Sequence, residues 1–290
     1  MNKYKFLTRS LVLMLLFTNL AHAAVSIGVQ APRGALKAMA EWSELGKYLT
    51  KELGQEVKIL PVDVTKTVKT YTNGGVDYML ANPVMALTLI KKQNAKTLVT
   101  LNRKAGNQLG GVIIAKKGSN IKTSTDLKGK SVLAFKFKKS AAGYVFQVKH
   151  VMDKGLDPFK DFSSFTQAKN QDDIVFAVKN GLADAGFVKT GLLEAMQKEG
   201  KIKKTDFEIV DQVNDGFAHV HSTKMYPQWT IVYGDKTDPV VTAKLKTALL
   251  KLKSDDMASK KARIAGFVEP LSFDELDKTM RALKLGPYNE

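Results

Sequence analysis

The chain has 290 residues, 44% hydrophobic and 25% charged, with 45 basic and 28 acidic residues and a formal charge of +17. This size and apolar content suit one large or two medium domains with a buried core, and exclude disorder over most of the length. The absence of cysteine excludes disulfides, thiolate metal sites and a cysteine nucleophile.

Residues 1–23 read as a secretory signal. Lys3, Lys5 and Arg9 come without an acid, LVLMLLFTNL follows, and Ala21-His22-Ala23 has the small-x-small form of a cleavage site. The apolar run is too short for a membrane span, which needs about 20 such residues. Cleavage before Ala24, with no Cys after it, predicts a free, soluble chain in the periplasm. Removing three basic residues and no acid takes the charge from +17 to +14. Such a balance suits nucleic acid, an anionic membrane or a small anion, and export argues against nucleic acid. Most lysines are dispersed near acids, as in KKQNAK and KLKSDD, and read as solvated faces.

From residue 24 onward, strand-like and helix-like stretches alternate. AVSIGV (24–29) reads as a strand. A helix follows with Leu36, Met39, Trp42, Leu45, Leu49 and Leu53 on one apolar face, closed by Gly54. VKILPV (57–62) is a strand, residues 64–75 a short helix, and VDYMLA (76–81) a strand. A helix then starts at Asn82 as cap with Pro83 in its first turn. KTLVTL and GGVIIAKK are strands, TSTDLKGK a capped short helix, and SVLAF (131–135) a strand. SAAGYVFQVKHVMDKG and DDIVFAVKNG read as helices, ADAGFV and FEIVDQ as strands. Two helices end the chain, the second opening on a capping box from Ser272 to Glu275. This order implies an α/β fold with mainly parallel sheets, in two lobes joined by strands rather than by a flexible linker.

Three histidines remain after residue 23: His150, His219 and His221. No third ligand stands at a familiar spacing from His219 and His221, and no HExxH, G-x-S-x-G, P-loop or dinucleotide fingerprint occurs, so neither a metal, a cofactor nor an enzyme is expected. The stretch KFKKSAAGYVFQ (136–147) is more informative. A strand running into a small-residue turn and then a helix exposes unpaired N–H groups at the positive end of the helix dipole, and Ser140 adds a hydroxyl. This is either an anion site or a simple helix cap. Asn82 begins a second such strand-to-helix turn. Trp42 and Trp229 sit in apolar patterns and read as core.

GVIIAKKGSNIKTSTDLKGKSVLAF, SAAGYVF and VKNGLADAGFV resemble, in that order, segments of the phosphate/phosphite/phosphonate-type periplasmic binding proteins. PRG…AEWSELGKYL, VDYMLANP, VKTGLLE, HSTKMYPQW and LKLGPY are more narrowly similar to the periplasmic sensor domains of tetrathionate-sensor-like histidine kinases. The resemblance implies a type II two-lobe fold. Lobe one would comprise residues 24–111 and 235–290, and lobe two residues 112–234, with a ligand cleft between them. It also implies a monomer that captures a small oxyanion for an ABC permease or reports its occupancy to a membrane sensor kinase. In the family's S-x-S-G-Y turn, Ser140, Gly143 and Tyr144 match, Ala141 is the variable position and Ala142 replaces the second hydroxyl. Gln171 stands where phosphonate binders carry a His. Lys189 stands where they carry the acid that receives the ligand's ammonium. Arg33 and Asn82 match the sensor-like group, with Arg33 either a fork for an oxyanion or part of a surface or interlobe ion pair. His221 completes the expected ligand set.

Overall fold

The computed structural model describes residues 24–289, and the signal expected over 1–23 lies outside them. The strands are β1 (Val25–Gln30), β2 (Val57–Val62), β3 (Tyr78–Ala81), β4 (Lys96–Asn102), β5 (Gln108–Leu109), β6 (Gly111–Lys116), β7 (Ser131–Phe135), β8 (Ser164–Ala168), β9 (Ala185–Lys189), β10 (Phe207–Val210), β11 (Tyr226–Pro227), β12 (Thr230–Tyr233) and β13 (Gly266–Val268). The helices are α1 (Ala35–Leu53), α2 (Thr67–Thr72), α3 (Pro83–Gln93), α4 (Phe146–Asp153), α5 (Pro158–Asp161), α6 (Gln171–Lys179), α7 (Leu192–Lys198), α8 (Pro239–Lys251), α9 (Met257–Ala262) and α10 (Asp274–Ala282). They make an α/β fold with two sheets, in the orders β13-β4-β12-β3-β1-β2 and β10-β6-β9-β7-β8. A ribbon of β5 and β11 lies where the chain passes between them.

Pairing is parallel within β2-β1-β3 and β9-β7-β8. It is antiparallel where β12 meets β3 and β4, where β13 meets β4, and where β6 meets β9 and β10. The sheets are therefore mixed rather than mainly parallel, and connectivity explains it. Strands β6 and β12 follow directly from the two arms of the ribbon, so they run away from the cleft. Strands β1, β3, β7 and β9 run toward it, whereas β13, although it follows α9, is antiparallel to β4 and runs away. β12 belongs to the first sheet, so the chain re-enters that sheet at β12, just after the ribbon strand β11 and before Gly234.

Each sheet has its own apolar packing. Ile27, Val29, Leu45, Leu49, Met79, Leu80 and Ile231 are wholly buried around the first. Ile114, Ile174, Val175, Val178, Val188 and Met196 are buried around the second. Each such side chain stabilises by about 1.5–3 kcal/mol. The α1 face is displaced from the one its spacing predicts: Ala38, Trp42, Leu45, Leu49 and Leu53 are buried, but Leu36 is 91% exposed and Met39 is partly exposed. The first turns of α1 face the cleft instead of the sheet. The capping box at Ser272 does not form; its hydroxyl accepts from the Asp274 N–H at 3.1 Å, and Glu275 pairs with Lys278.

The carboxyl ends of β1 and β3 face those of β7 and β9, the position at which α/β sheets hold ligands. Behind them the ribbon is tied by Gln228 N–H to Asn107 O at 2.9 Å and by Ser222 N–H to Gly111 O at 2.9 Å. Gly111 allows the close approach of a fully buried Gln147: a Cβ there would lie 2.5 Å from Gln147 Cδ. The Gln147 amide donates to Ala142 O, Val188 O and Val112 O at 2.9, 2.8 and 3.3 Å, which fastens the turn at 140–144 to the second sheet.

Candidate functional site

Strand β7 ends at Phe135, and Lys136 and Lys138 then take left-handed φ of 45° and 64°. These two lysines shape the turn. Lys139 spans the lobes, its Nζ donating to Thr65 O at 3.3 Å. The helix opens with a wider-than-α turn over Ala141–Val145, and no side chain caps it. Its first N–H groups lack a preceding turn to bond, and the Ser140 hydroxyl is not spent on them. Ser140, Ala141 and Ala142 line a cavity of about 20 Å³ together with Asn82, Gln171, Lys189 and Trp229.

Gly143 explains how tightly these groups converge. A Cβ at this residue would lie 2.8 Å from Ser140 Oγ and 3.2 Å from Gln171 Nε2. Gln171 opens α6 behind the Asn170 cap and is 4% exposed. Its Oε1 accepts from the Lys189 N–H at 2.9 Å, which turns its NH₂ toward Ser140. The site thus gathers a hydroxyl, a side-chain amide, helix-start N–H groups and an ammonium, all of them donors to an anion. Burial, and then the neighbouring Arg103 guanidinium, push the Lys189 ammonium down to about 7.

Asn82 reaches the cavity from the first lobe. It caps α3 through Val84 and Met85 N–H, and its Nδ2 donates to Gln30 Oε1 at 2.9 Å and across the lobes to Lys139 O at 3.2 Å. Gln30 also accepts from the Asn82 N–H at 2.7 Å. Asn82 is therefore a cap and a strut as well as a wall.

Three expected ligand residues are not brought to this cavity. Arg33 has both edges of its guanidinium on carboxylates of the second lobe: Asp172 at 2.5 and 2.8 Å and Glu199 at 3.0 and 3.1 Å. Lys37 and Arg263 add contacts to Glu199 at 2.9 and 3.4 Å. Burial opposes the charge on Arg33, yet the bonds to Glu199 and Asp172 hold its pKa above the ordinary value. The same bond from Arg33 holds the Glu199 carboxyl well below the usual range. Arg33 thus forms the interlobe ion pair of its two sequence readings. Tyr144 points into the second lobe, where its ring packs on Phe137 and Phe165 at 4.7 and 5.9 Å; only its backbone faces the turn. His221 is 2% exposed with both ring nitrogens engaged, by Thr223 O at 2.9 Å and Asp215 at 3.1 Å. It holds the crossing segment, and His219 is the histidine that lines the cleft.

Outside the small cavity, and sharing Pro32, Lys189 and Trp229 with it, lies a chamber of about 300 Å³. Trp42, Trp229 and Phe217 supply apolar wall; Arg103, Lys104 and Lys198 supply positive charge. Trp42 and Trp229 are core residues as expected, and both also line the cleft. Sequence reasoning missed Arg103, Gln147, Asp172 and Glu199. Arg103 had a legible signal, an isolated arginine in the turn RKAG directly after a strand. Among the described residues no group of three or more His, Cys, Asp or Glu is arranged to hold a metal.

Comparison with known proteins agrees with this geometry. The chain is 29% identical over 211 residues to the tetrathionate sensor histidine kinase TtrS of Salmonella typhimurium. That match covers 71% of this chain but only 36% of the kinase, so this chain spans about a third of that relative. Among solved structures, PhnD1 from Prochlorococcus marinus in complex with methylphosphonate superposes with a TM-score of 0.74 at 15% identity, over 90% of this chain and 98% of that one. A binding protein component of an ABC phosphonate transporter from Pseudomonas aeruginosa gives 0.73 at 15% identity, over 90% and 85%. These two show the shared two-lobe fold. The sequence profile of the family described as "ABC transporter, phosphonate, periplasmic substrate-binding protein" matches residues 29–274, and the chain belongs to that family.

Proposed function

We propose that this protein captures a small oxyanion between its lobes, in the cavity floored by Ser140, Ala141, Ala142 and Gly143 and closed by Gln171, Asn82 and Lys189. One observation carries the reading: the Ser140 hydroxyl and the Gln171 NH₂ lie 2.8 and 3.2 Å from one point above Gly143, at the start of a helix, and Lys189 lines the same cavity. No carboxylate lines that cavity. A space of about 20 Å³ admits roughly one water. An oxyanion therefore enters with the lobes parted, and they close on it about the β5–β11 ribbon. In this reading lobe one is residues 24–107 with 228–289, lobe two is 110–223, and the protein works as a monomer in the periplasm. Family membership supports delivery to an ABC permease.

Lys189 narrows the ligand. An ammonium at this position repels an aminoalkyl group and attracts a second negative charge. The similarity to a tetrathionate sensor favours a second reading, in which ligand occupancy is reported to a membrane kinase. Isothermal titration with phosphate, phosphite, methylphosphonate, sulfate, thiosulfate and tetrathionate tests the oxyanion reading. At about 100 times the dissociation constant, the ligand stabilises the fold by about 2.7 kcal/mol. If no anion binds or raises the melting temperature, the reading fails. If Ser140→Ala leaves the affinity of a bound anion intact, the assignment of the site fails. Deleting the gene separates the two partners: loss of uptake points to a permease, loss of ligand-dependent transcription to a kinase.

A further inference from the structure

We propose that the ligand is an elongated anion with negative charge at both ends, one end in the small cavity and the other against Arg103 in the outer chamber. This rests on the oxyanion reading above and extends it to the class of ligand.

Four observations carry it. The two spaces adjoin at Pro32, Lys189 and Trp229, which line both, but differ more than tenfold in volume, about 20 against about 300 Å³. A single small tetrahedral ion seated at Ser140 leaves the larger space to water. Second, the positive charge of the outer chamber is not spent. Arg33, Lys37 and Arg263 are paired with Asp172 or Glu199, whereas Arg103, Lys104, Lys189 and Lys198 form no salt bridge among the described residues. Against these four stand two acids, Glu194, paired with Lys204 at 3.4 Å, and Glu41, which has no salt bridge among the described residues.

Third, Arg103 is held in place. Its backbone closes a tight turn with Gly106 through reciprocal N–H to O bonds, both 2.9 Å, on the arm leading into the hinge ribbon. Its side chain lies in the cleft wall with no hydrogen bond among the described residues. Removing charge from water without a partner is costly, so a half-buried guanidinium of this kind is suited to an anion that completes it. Its planar fork fits an oxyanion bidentately. Finally, Trp42, Phe217 and Trp229 lie in the same chamber, giving an apolar passage for the weakly hydrated atoms that link two charged ends. A ligand ending in an ammonium is the competing chemistry, with Glu41 and the unpartnered Oε2 of Glu194 as its acids among the described residues.

The test is titration calorimetry of the whole mature protein at fixed pH and ionic strength. Two-ended probes are methylenediphosphonate, pyrophosphate and tetrathionate. Single-ended probes are sulfate, phosphate and methylphosphonate, with 2-aminoethylphosphonate for the ammonium alternative. Sulfate and tetrathionate carry equal charge, so that pair isolates geometry. At least one two-ended probe should bind tenfold or more tighter than every single-ended one. Arg103→Gln should weaken that probe at least fivefold more than it weakens the best single-ended probe, with an unchanged melting temperature. Arg103→Lys, which keeps charge but loses the fork, should fall between. If a single-ended probe or 2-aminoethylphosphonate binds as tightly, or if Arg103→Gln weakens both classes alike, the second subsite is wrong while the oxyanion reading stands. If no probe of either class binds, both are wrong.

Discussion

If Lys189 faces the anion as proposed, binding is pH-dependent in a direction set by its lowered pKa. In the free protein its ammonium titrates near 7, because burial and Arg103 disfavour the charge. A bound anion favours that charge and raises the pKa, so binding takes up a proton whenever the solution lies above the free value. Affinity is therefore full below the free pKa and falls as pH rises through it. With a free pKa of about 7 and a bound value well above it, affinity drops about tenfold from about pH 6 to about pH 8, and about ninetyfold by about pH 9. The assay is calorimetric titration of an anion that does not titrate in this range, such as sulfate or tetrathionate. Running it in two buffers of different ionisation enthalpy counts the protons taken up. Lys189→Met should weaken binding and flatten the profile, while His219→Gln, a change at the histidine of the chamber wall, should leave the slope. Affinity constant from about pH 6 to about pH 9, or a slope that survives Lys189→Met, refutes the assignment of Lys189 to the anion.

Gly143→Ala puts a methyl 2.8 Å from Ser140 Oγ and 3.2 Å from Gln171 Nε2. Its stability cost should be about 1–3 kcal/mol by melting. Its loss of anion affinity should be tenfold or more by titration, since each hydrogen bond to a charged group contributes about 1.5–3 kcal/mol. Gln147→Leu leaves three buried carbonyls without their shared donor, and should lower stability by about 2–4 kcal/mol in a denaturant melt. His221→Gln loosens the crossing segment, so its melting temperature should fall while affinity stays within about twofold. Arg33→Ala removes the shared guanidinium from Asp172 and Glu199, whose side chains are 18% and 15% exposed, and leaves them only the weaker contacts of Lys37, Lys201 and Arg263. It should cost on the order of 2–3 kcal/mol, below the roughly 3–5 of a fully buried pair, and raise the radius of gyration in solution scattering of the unliganded protein.

The elements that sequence patterning found are those whose periodicity reports burial. The α1 spacing, the Asn82-Pro83 start of α3 and the buried run of β6 are examples. Strand β8 escaped because it is a sheet edge with an exposed pattern, and β13 because three residues carry no period. Direction of pairing was not legible, since β6 follows another strand without a hairpin signal and β12 was not read as a strand, so neither could be oriented until the hinge ribbon is seen. At the candidate site, the turn at 140–143 was legible as a strand running into a helix start, whereas Gln171 and Lys189 were named only through the family resemblance. Tyr144 and His221 were misassigned because adjacency in sequence is not direction in space. One side chain enters an aromatic cluster and the other a hydrogen-bonded loop. Asp172 and Glu199 were invisible as partners of Arg33, being 139 and 166 residues away in the chain.

Those partners change what Arg33 means for binding. Their carboxylates occupy the guanidinium as an oxyanion would, so the residue acts on lobe closure without touching the ligand. Asn82 to Lys139 and Lys139 to Thr65 act in the same sense on the other flank of the turn. Because the inner cavity admits about one water, only parted lobes accept an anion, and contacts that persist without ligand lower the fraction of competent chains. The observed dissociation constant is the intrinsic one divided by that fraction. Weakening the latch therefore has two opposing effects. More chains stand open, which speeds association, and the closed complex loses contacts, which speeds release. Arg33→Ala should raise both rate constants in stopped-flow measurements and change the dissociation constant much less than either. If release quickens while association is untouched, the lobes of the free protein already stand open, and the Arg33 pairs belong to the liganded state alone.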